Sequence, residues 1–295
     1  MPNLYVVPGF LSSELYEDAE GRWLLWVNKS RIMDGYLGKT RLAENGIDPG
    51  LPDGSELFHG DPLMDYWRET LVSLLEQLTP HAYRLFTVGY DWRKSVTIAG
   101  DRLADTIRQR VSSADPCSIL AHSMGGLVAR RAWSQLVATE ETALVRRIVT
   151  LGTPHQGTYA PVMLTSGNAE YLQQLQFLCN VNSIGLGLVG SYSPFRQWTT
   201  DQLRELSLSW PAVYLLFPLL GGTAAIGDDA RHLLFERSNW RGRRPLYQSW
   251  LNYARDVFGP WLLSAASQPP SWVMTSVSGT GVPTPDKLLY PDQLG

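Results

Sequence analysis

The stretch "CSILAHSMGGLVARR", residues 117–131, decides how the rest of the chain is read. The apolar run at Cys117–Leu120 has the length of a buried strand, and the residues from Met124 onward have helical character. Between them, Ala121-His-Ser-Met-Gly125 sets a serine among small residues. This is the G-x-S-x-G pattern with alanine in the first glycine position. It predicts a strained strand-to-helix turn that exposes the serine hydroxyl and tolerates only small neighbours. Ser123 is then a nucleophile, with the amide groups and positive end of the helix favouring any oxyanion formed beside it. An ordinary helix N-cap would also place a serine here. The position after a third strand and the double Gly125-Gly126 favour the nucleophile.

Working outward, Leu4–Val7, Tyr83–Val88 and Arg147–Leu151 read as further short apolar strands. Trp67, Leu71, Leu74, Leu75 and Leu78 form one helical stripe that Pro80 ends, and Leu103, Ile107 and Val111 form another. Strands alternating with helices of this length predict βαβ units, hence an α/β fold with a mostly parallel sheet and helices on both faces. Residues 12–62 read as loops and short pieces. The alternation stops after Gly157; residues 158–270 read as a helical cap insertion, and Trp272–Val277 as a return to the sheet. The expected organisation is therefore a core at 1–157, a cap at 158–270 and the resumed core at 271–295.

The bulk composition excludes several functions. A net charge of -3 and a pI near 6.0 give no reason to expect a nucleic-acid partner. No His/Cys/carboxylate cluster has metal-ligand spacing, so no metal and no cofactor are expected. Cys117 and Cys179 make no disulfide framework. The N-terminus lacks a basic segment followed by an apolar run, and the apolar stretch Ala212–Leu220, broken by Pro218, is too short to span a bilayer. A cytoplasmic protein with at most peripheral lipid contact is expected. The eleven tryptophans are either packing residues or an apolar surface for a bulky ligand.

Acyl transfer needs two N–H donors for the tetrahedral oxyanion. Met124, following the serine, offers one. Gly9 in Val7-Pro-Gly-Phe-Leu11 could turn the backbone so that Phe10 offers the other, although the same residues also suit a plain strand-ending turn. Five blocks bear on the choice: Pro8-Gly-Phe-Leu11, Tyr90-Asp-Trp-Arg93, Ala121-His-Ser-Met-Gly125, Leu151-Gly-Thr-Pro-His-Gln-Gly157 and Gly279-Thr-Gly-Val-Pro-Thr-Pro285. In order and spacing they resemble the lecithin:cholesterol acyltransferase family, which includes lysosomal phospholipase A2 and the phospholipid:diacylglycerol acyltransferases. The resemblance implies an α/β-hydrolase fold, Ser123 as nucleophile, Phe10 and Met124 as oxyanion donors, and a lipid or other acyl ester as substrate. It makes Tyr90–Arg93 a packed structural corner, with Asp91 and Arg93 pairing with backbone or with each other.

In this fold the acid and the histidine follow the serine in the chain. In the resembled family both lie downstream of the Gly-x-Gly-x-Pro-Thr block, and this sequence contains no Gly-Asp-Gly-Thr-like stretch and no histidine after His232. Truncation of a longer sequence is the expected explanation. Within the chain, His155 and His232 are weak candidates for the base. A serine acyltransferase or lipase is thus one reading; a non-catalytic lipid- or protein-binding relative is the other.

Overall fold

The computed structural model describes residues 1–17, 23–26, 31–32, 34–48, 57–58, 72–78, 83–168, 171–173, 175, 198–219, 230–240 and 246–281. Among these the strands are β1 (Asn3–Val7), β2 (Leu15–Glu17), β3 (Trp23–Trp26), β4 (Leu57–Phe58), β5 (Arg84–Thr87), β6 (Cys117–His122), β7 (Val145–Leu151) and β8 (Met274–Val277). The α-helices are α1 (Ser73–Leu78), α2 (Val96–Arg110), α3 (Met124–Ala138), α4 (Ala160–Ser166), α5 (Thr200–Ser207), α6 (Pro211–Leu215), α7 (Gln248–Tyr253) and α8 (Gly259–Leu263). The chain divides into two compact units. Met1–Glu14, His59–Gln156 and Phe258–Thr284 form one; Leu15–Phe58, Gly157–Val257 and Pro285–Gly295 form the other.

In the first unit the strands line up as β5-β1-β6-β7-β8, and every neighbouring pair is parallel. Leu4, Tyr5, Val6 and Val7 are all buried, so β1 is covered on both faces, as a continuous apolar run in a parallel sheet requires. The expected return to the sheet at Trp272–Val277 is β8, paired with β7. Of the stripe from Trp67 to Leu78, only the α1 portion falls within the described residues. Ser95 caps α2 by accepting from the Thr97 N–H at 3.3 Å. Val96, Ala99, Leu103, Ala104 and Ile107 bury one face of that helix. Helices α2 and α3 pack so closely at Gly100 that a Cβ there would overlap the Arg131 side chain and crowd the Val128 carbonyl.

The strand order has a functional consequence. The chain enters at β1, moves to β5 on one side, then crosses to β6 on the other. In open parallel sheets the crevice at such a reversal, outside the C-terminal strand ends, is where ligands bind. Here that point lies between β1 and β6, whose ends carry Pro8-Gly9 and Ser123.

The second unit holds the antiparallel sheet β3-β2-β4, with a bulge at Leu15/Tyr16. These strands fall in the region read from sequence as irregular, because two to four residues carry too little alternation to stand out. Tryptophans fasten its segments together. The indole N–H groups of Trp198, Trp210 and Trp250 donate to the carbonyls of Ile32, Thr40 and Glu44 at 2.8, 2.8 and 2.7 Å. Trp240 donates to Leu234 and stacks on Phe217 at 5.5 Å. Packing therefore accounts for these side chains; Trp272, in the first unit, is 71% exposed. Replacing Trp210 with Phe should cost about 1–3 kcal/mol, because the buried Thr40 carbonyl loses that donor. Urea denaturation would read that loss, and Trp272→Ala should leave the midpoint nearly unchanged.

Candidate active site

The first unit brings its functional candidates to one end of the sheet. Val7 aligns with Ala121, Ala121 with Thr150, and Thr150 with Ser276. One step further along, the Ser123 N–H donates to the Leu151 carbonyl at 2.8 Å, and the Gly152 N–H to the Val277 carbonyl at 2.8 Å. The turn after β6 is thus an extension of the sheet ladder.

Ser123 stands in this turn with φ 51° and ψ -125°, a conformation that glycine adopts freely and that costs other residues about 1–3 kcal/mol. Its side chain does not cap α3. The N-cap alternative is therefore not what the hydroxyl does. The half-buried serine immediately precedes a 15-residue helix, whose dipole favours negative charge at its N-terminus.

Three glycines make the turn possible by close approach. A Cβ on Gly125 would overlap the carbonyls of Val7 and Pro8, and one on Gly126 would overlap the Thr153 side chain. A Cβ on Gly9 would meet Ser123 Cβ at 2.9 Å and His122 Nδ1 at 3.0 Å. The start of α3, the end of β1 and the Gly-Thr-Pro segment are thereby in close contact.

Phe10 lies in the loop after β1. The loop turns on a bond from the Ser12 N–H to the Gly9 carbonyl at 3.3 Å, with Leu11 at φ 62°. The expected structural corner packs directly against it. The Phe10 ring meets Trp92 edge-on at 5.3 Å and 81°. Asp91 and Arg93 pair with each other as the resemblance implied: Asp91 Oδ1 accepts from Arg93 Nε at 2.8 Å and Oδ2 from Nη2 at 2.5 Å. Both side chains are buried.

His155 follows β7, and both of its ring nitrogens are engaged. Arg130 Nη1 lies 3.4 Å from Nδ1; since guanidinium can only donate, Nδ1 is the acceptor. Nε2–H then donates to the hydroxyls of Thr150 and Ser276, both at 3.2 Å. Arg130 itself is buried and otherwise serves the turn after α8, donating to the Leu262 carbonyl and to the Ser267 carbonyl and hydroxyl. Burial, helped by the Arg130 charge, drives His155 down from 6.5 to about 4. Burial also lowers Arg130 to about 10. A neutral, doubly engaged imidazole is suited to tying α3 to the ends of β7 and β8, and poorly suited to acting as a base near neutral pH. Because the unfolded histidine takes its proton near 6.5, the stability tied to this neutral ring is complete above that pH and is lost as pH falls toward 4. Thermal unfolding between about pH 7 and 4.5 should show that decline, and His155→Asn should flatten it.

The remaining histidines and the late aspartates fall elsewhere. His122 is half-buried against Gly9, and burial lowers its pKa. The His232 backbone belongs to a 3-10 turn at Ala230–Phe235, with its side chain outside the described residues. His59, His81, Asp286 and Asp292 also lie outside them. The roles of Arg130, Thr150, Ser276 and Ser13 carried no sequence signal beyond an arginine directly after the apolar run Leu127-Val-Ala129.

A parallel sheet reversing at β1, with a strained serine turn at the adjacent strand end, is the α/β-hydrolase fold. The lecithin:cholesterol acyltransferase family model matches residues 61–241, and the chain belongs to that family. A search of curated proteins returns no match. Among solved structures the chain is similar to the mature form of the Bacillus licheniformis lipase BlEst2, at 18% identity and TM-score 0.31, over 59% of this chain and 49% of that one. It is also similar to the Tle4-Tli4 complex, at 14% and 0.38 over 74% and 54%. EstA from Clostridium botulinum matches at 13% and 0.30 over 62% and 43%. The chain spans about half the length of these structures. No helix among the described residues is long and apolar enough to cross a membrane.

Proposed function

We propose that this protein is a serine-dependent O-acyltransferase or lipase that acts on lipid esters through an acyl-enzyme on Ser123. Family membership supports the substrate class. The observation that carries the chemistry is the serine turn: a non-glycine residue held at φ 51°, its hydroxyl not spent on capping, at the start of a long helix. Ser123 Oγ attacks the ester carbonyl carbon and its proton passes to a base. The carbonyl oxygen becomes the oxyanion, held by the N–H groups of Met124 and Phe10. The C–O bond to the lipid alcohol breaks, the alcohol leaves with the proton, and an acyl-serine ester remains. An acceptor alcohol, or water, attacks that ester and releases the acyl group. His155, with both ring nitrogens engaged, is poorly placed to be that base. The residues read from sequence as a cap, 158–270, are proposed to choose lipid and acceptor.

Covalent labelling tests this reading. A fluorophosphonate carrying a lipid-like chain, added to the full-length protein, should modify one peptide, the one containing Ser123. Labelling elsewhere, or turnover of a lipid ester with Ser123 unlabelled, overturns it.

A further inference from the structure

The corner at Tyr90–Arg93 does more than fill space. Leu11 at φ 62° is a second strained residue, and a non-glycine residue stays in that region only when its surroundings hold it there. The surroundings that hold this loop come from the corner. The Tyr90 hydroxyl donates to the Pro8 carbonyl at 2.8 Å, and the Tyr90 N–H donates to the Ser13 hydroxyl at 3.2 Å. The Trp92 indole donates to the Ser13 carbonyl at 3.0 Å. The loop is gripped on both sides of Phe10, at residues 8 and 13, while the Phe10 ring rests on Trp92 between them.

One of these bonds bears directly on the oxyanion donor. The Pro8 carbonyl belongs to the peptide plane immediately before Gly9, and the Phe10 N–H belongs to the plane immediately after it. Glycine allows the two planes to turn almost freely relative to each other, so Gly9 cannot by itself hold the Phe10 N–H in one direction. Fixing the Pro8 plane from one side and seating the Phe10 ring from the other supplies the missing restraint. The carbonyl of Pro8 also lies against Gly125 at the start of α3, so its orientation is set jointly with the serine turn.

We infer that Tyr90 is a positioning residue for the oxyanion hole, its buried hydroxyl holding the Pro8 peptide so that the Phe10 N–H points at the developing oxyanion. This rests on the acyl-enzyme reading above. The hydroxyl has the right chemistry for that role. Tyr90 is 3% exposed, and burial pushes its pKa far up, so it stays a donor at any working pH.

The test is Tyr90→Phe in the full-length protein, assayed with matched oxo- and thiono-esters. Sulfur is a weak hydrogen-bond acceptor, so a thiono-ester depends less on the oxyanion donors than an oxo-ester does. The expected result is a kcat for the oxo-ester lower by about 10–100-fold with KM nearly unchanged, a smaller fall for the thiono-ester, and hence a reduced oxo/thiono ratio. Ser13→Ala, which removes the hydroxyl that accepts from the Tyr90 N–H but keeps the carbonyl that Trp92 holds, should shift the ratio in the same direction by less. A crystal structure of either variant should show the Pro8 carbonyl rotated. Equal losses on the two esters, or an unmoved loop with full activity, overturn the assignment. The two readings fail differently. Ester turnover that survives Ser123→Ala sinks the acyl-enzyme; dependence on Ser123 with an unchanged ratio sinks Tyr90 alone.

Discussion

Ser123→Ala should abolish ester turnover, lowering kcat by at least about 10⁴-fold, while leaving the fold intact. Loss of a serine nucleophile costs about 10⁶ in well-studied triads, and what survives comes from binding and the oxyanion donors. Alanine keeps the Cβ and therefore keeps the strain of φ 51°. Ser123→Gly makes a sharper companion. It removes the same oxygen but frees the backbone, so it should be equally inactive and more stable by about 1–3 kcal/mol. Paired thermal melts and steady-state assays would separate the two effects. A glycine variant no more stable than wild type would mean that the turn stores no strain.

The second large effect belongs to Asp91→Ala. Arg93 is fully buried and Asp91 nearly so. Asp91 accepts the Arg93 side chain through both oxygens and the Arg93 N–H at 3.1 Å. Removing the carboxylate deprives an interior cation of this counter-charge, a change that costs about 3–5 kcal/mol. For a chain of this size that corresponds to a fall in Tm of about 10 °C. The double variant Asp91→Ala/Arg93→Met should recover much of the loss, since burying no ions is cheaper than burying one. If the single variant melts with wild type, the pair contributes nothing to the corner.

How far these features could be read in advance depended on how local their causes are. The strand–serine–helix turn needs only small residues within a few positions, so residues 117–131 displayed it openly. The parallel strands up to residue 151 followed from apolar runs alternating with helices, the fifth from an apolar run at 272–277, and the family from five separated blocks. The small sheet β2–β4 escaped because its strands are short and their pairing partners lie up to about forty residues apart in the chain. The link between Arg130 and His155 was hidden for another reason. An arginine in an apolar helix and a histidine after a strand each have several readings. Only the approach of α3 to the ends of β7 and β8 makes them one network with Thr150 and Ser276. The Trp92 and Tyr90 contacts depended likewise on folding residues 8–13 against residues 90–92.

The bond from the Ser123 N–H to Leu151 has one more consequence. With its amide committed to the neighbouring strand and Gly9 close against its Cβ, Ser123 keeps chiefly the rotation of its hydroxymethyl group. In the proposed acyl transfer, the attacking oxygen would be a one-axis rotor on a fixed bearing. Little motional freedom then remains to be surrendered when a substrate carbonyl arrives, so the entropy of alignment has largely been spent during folding.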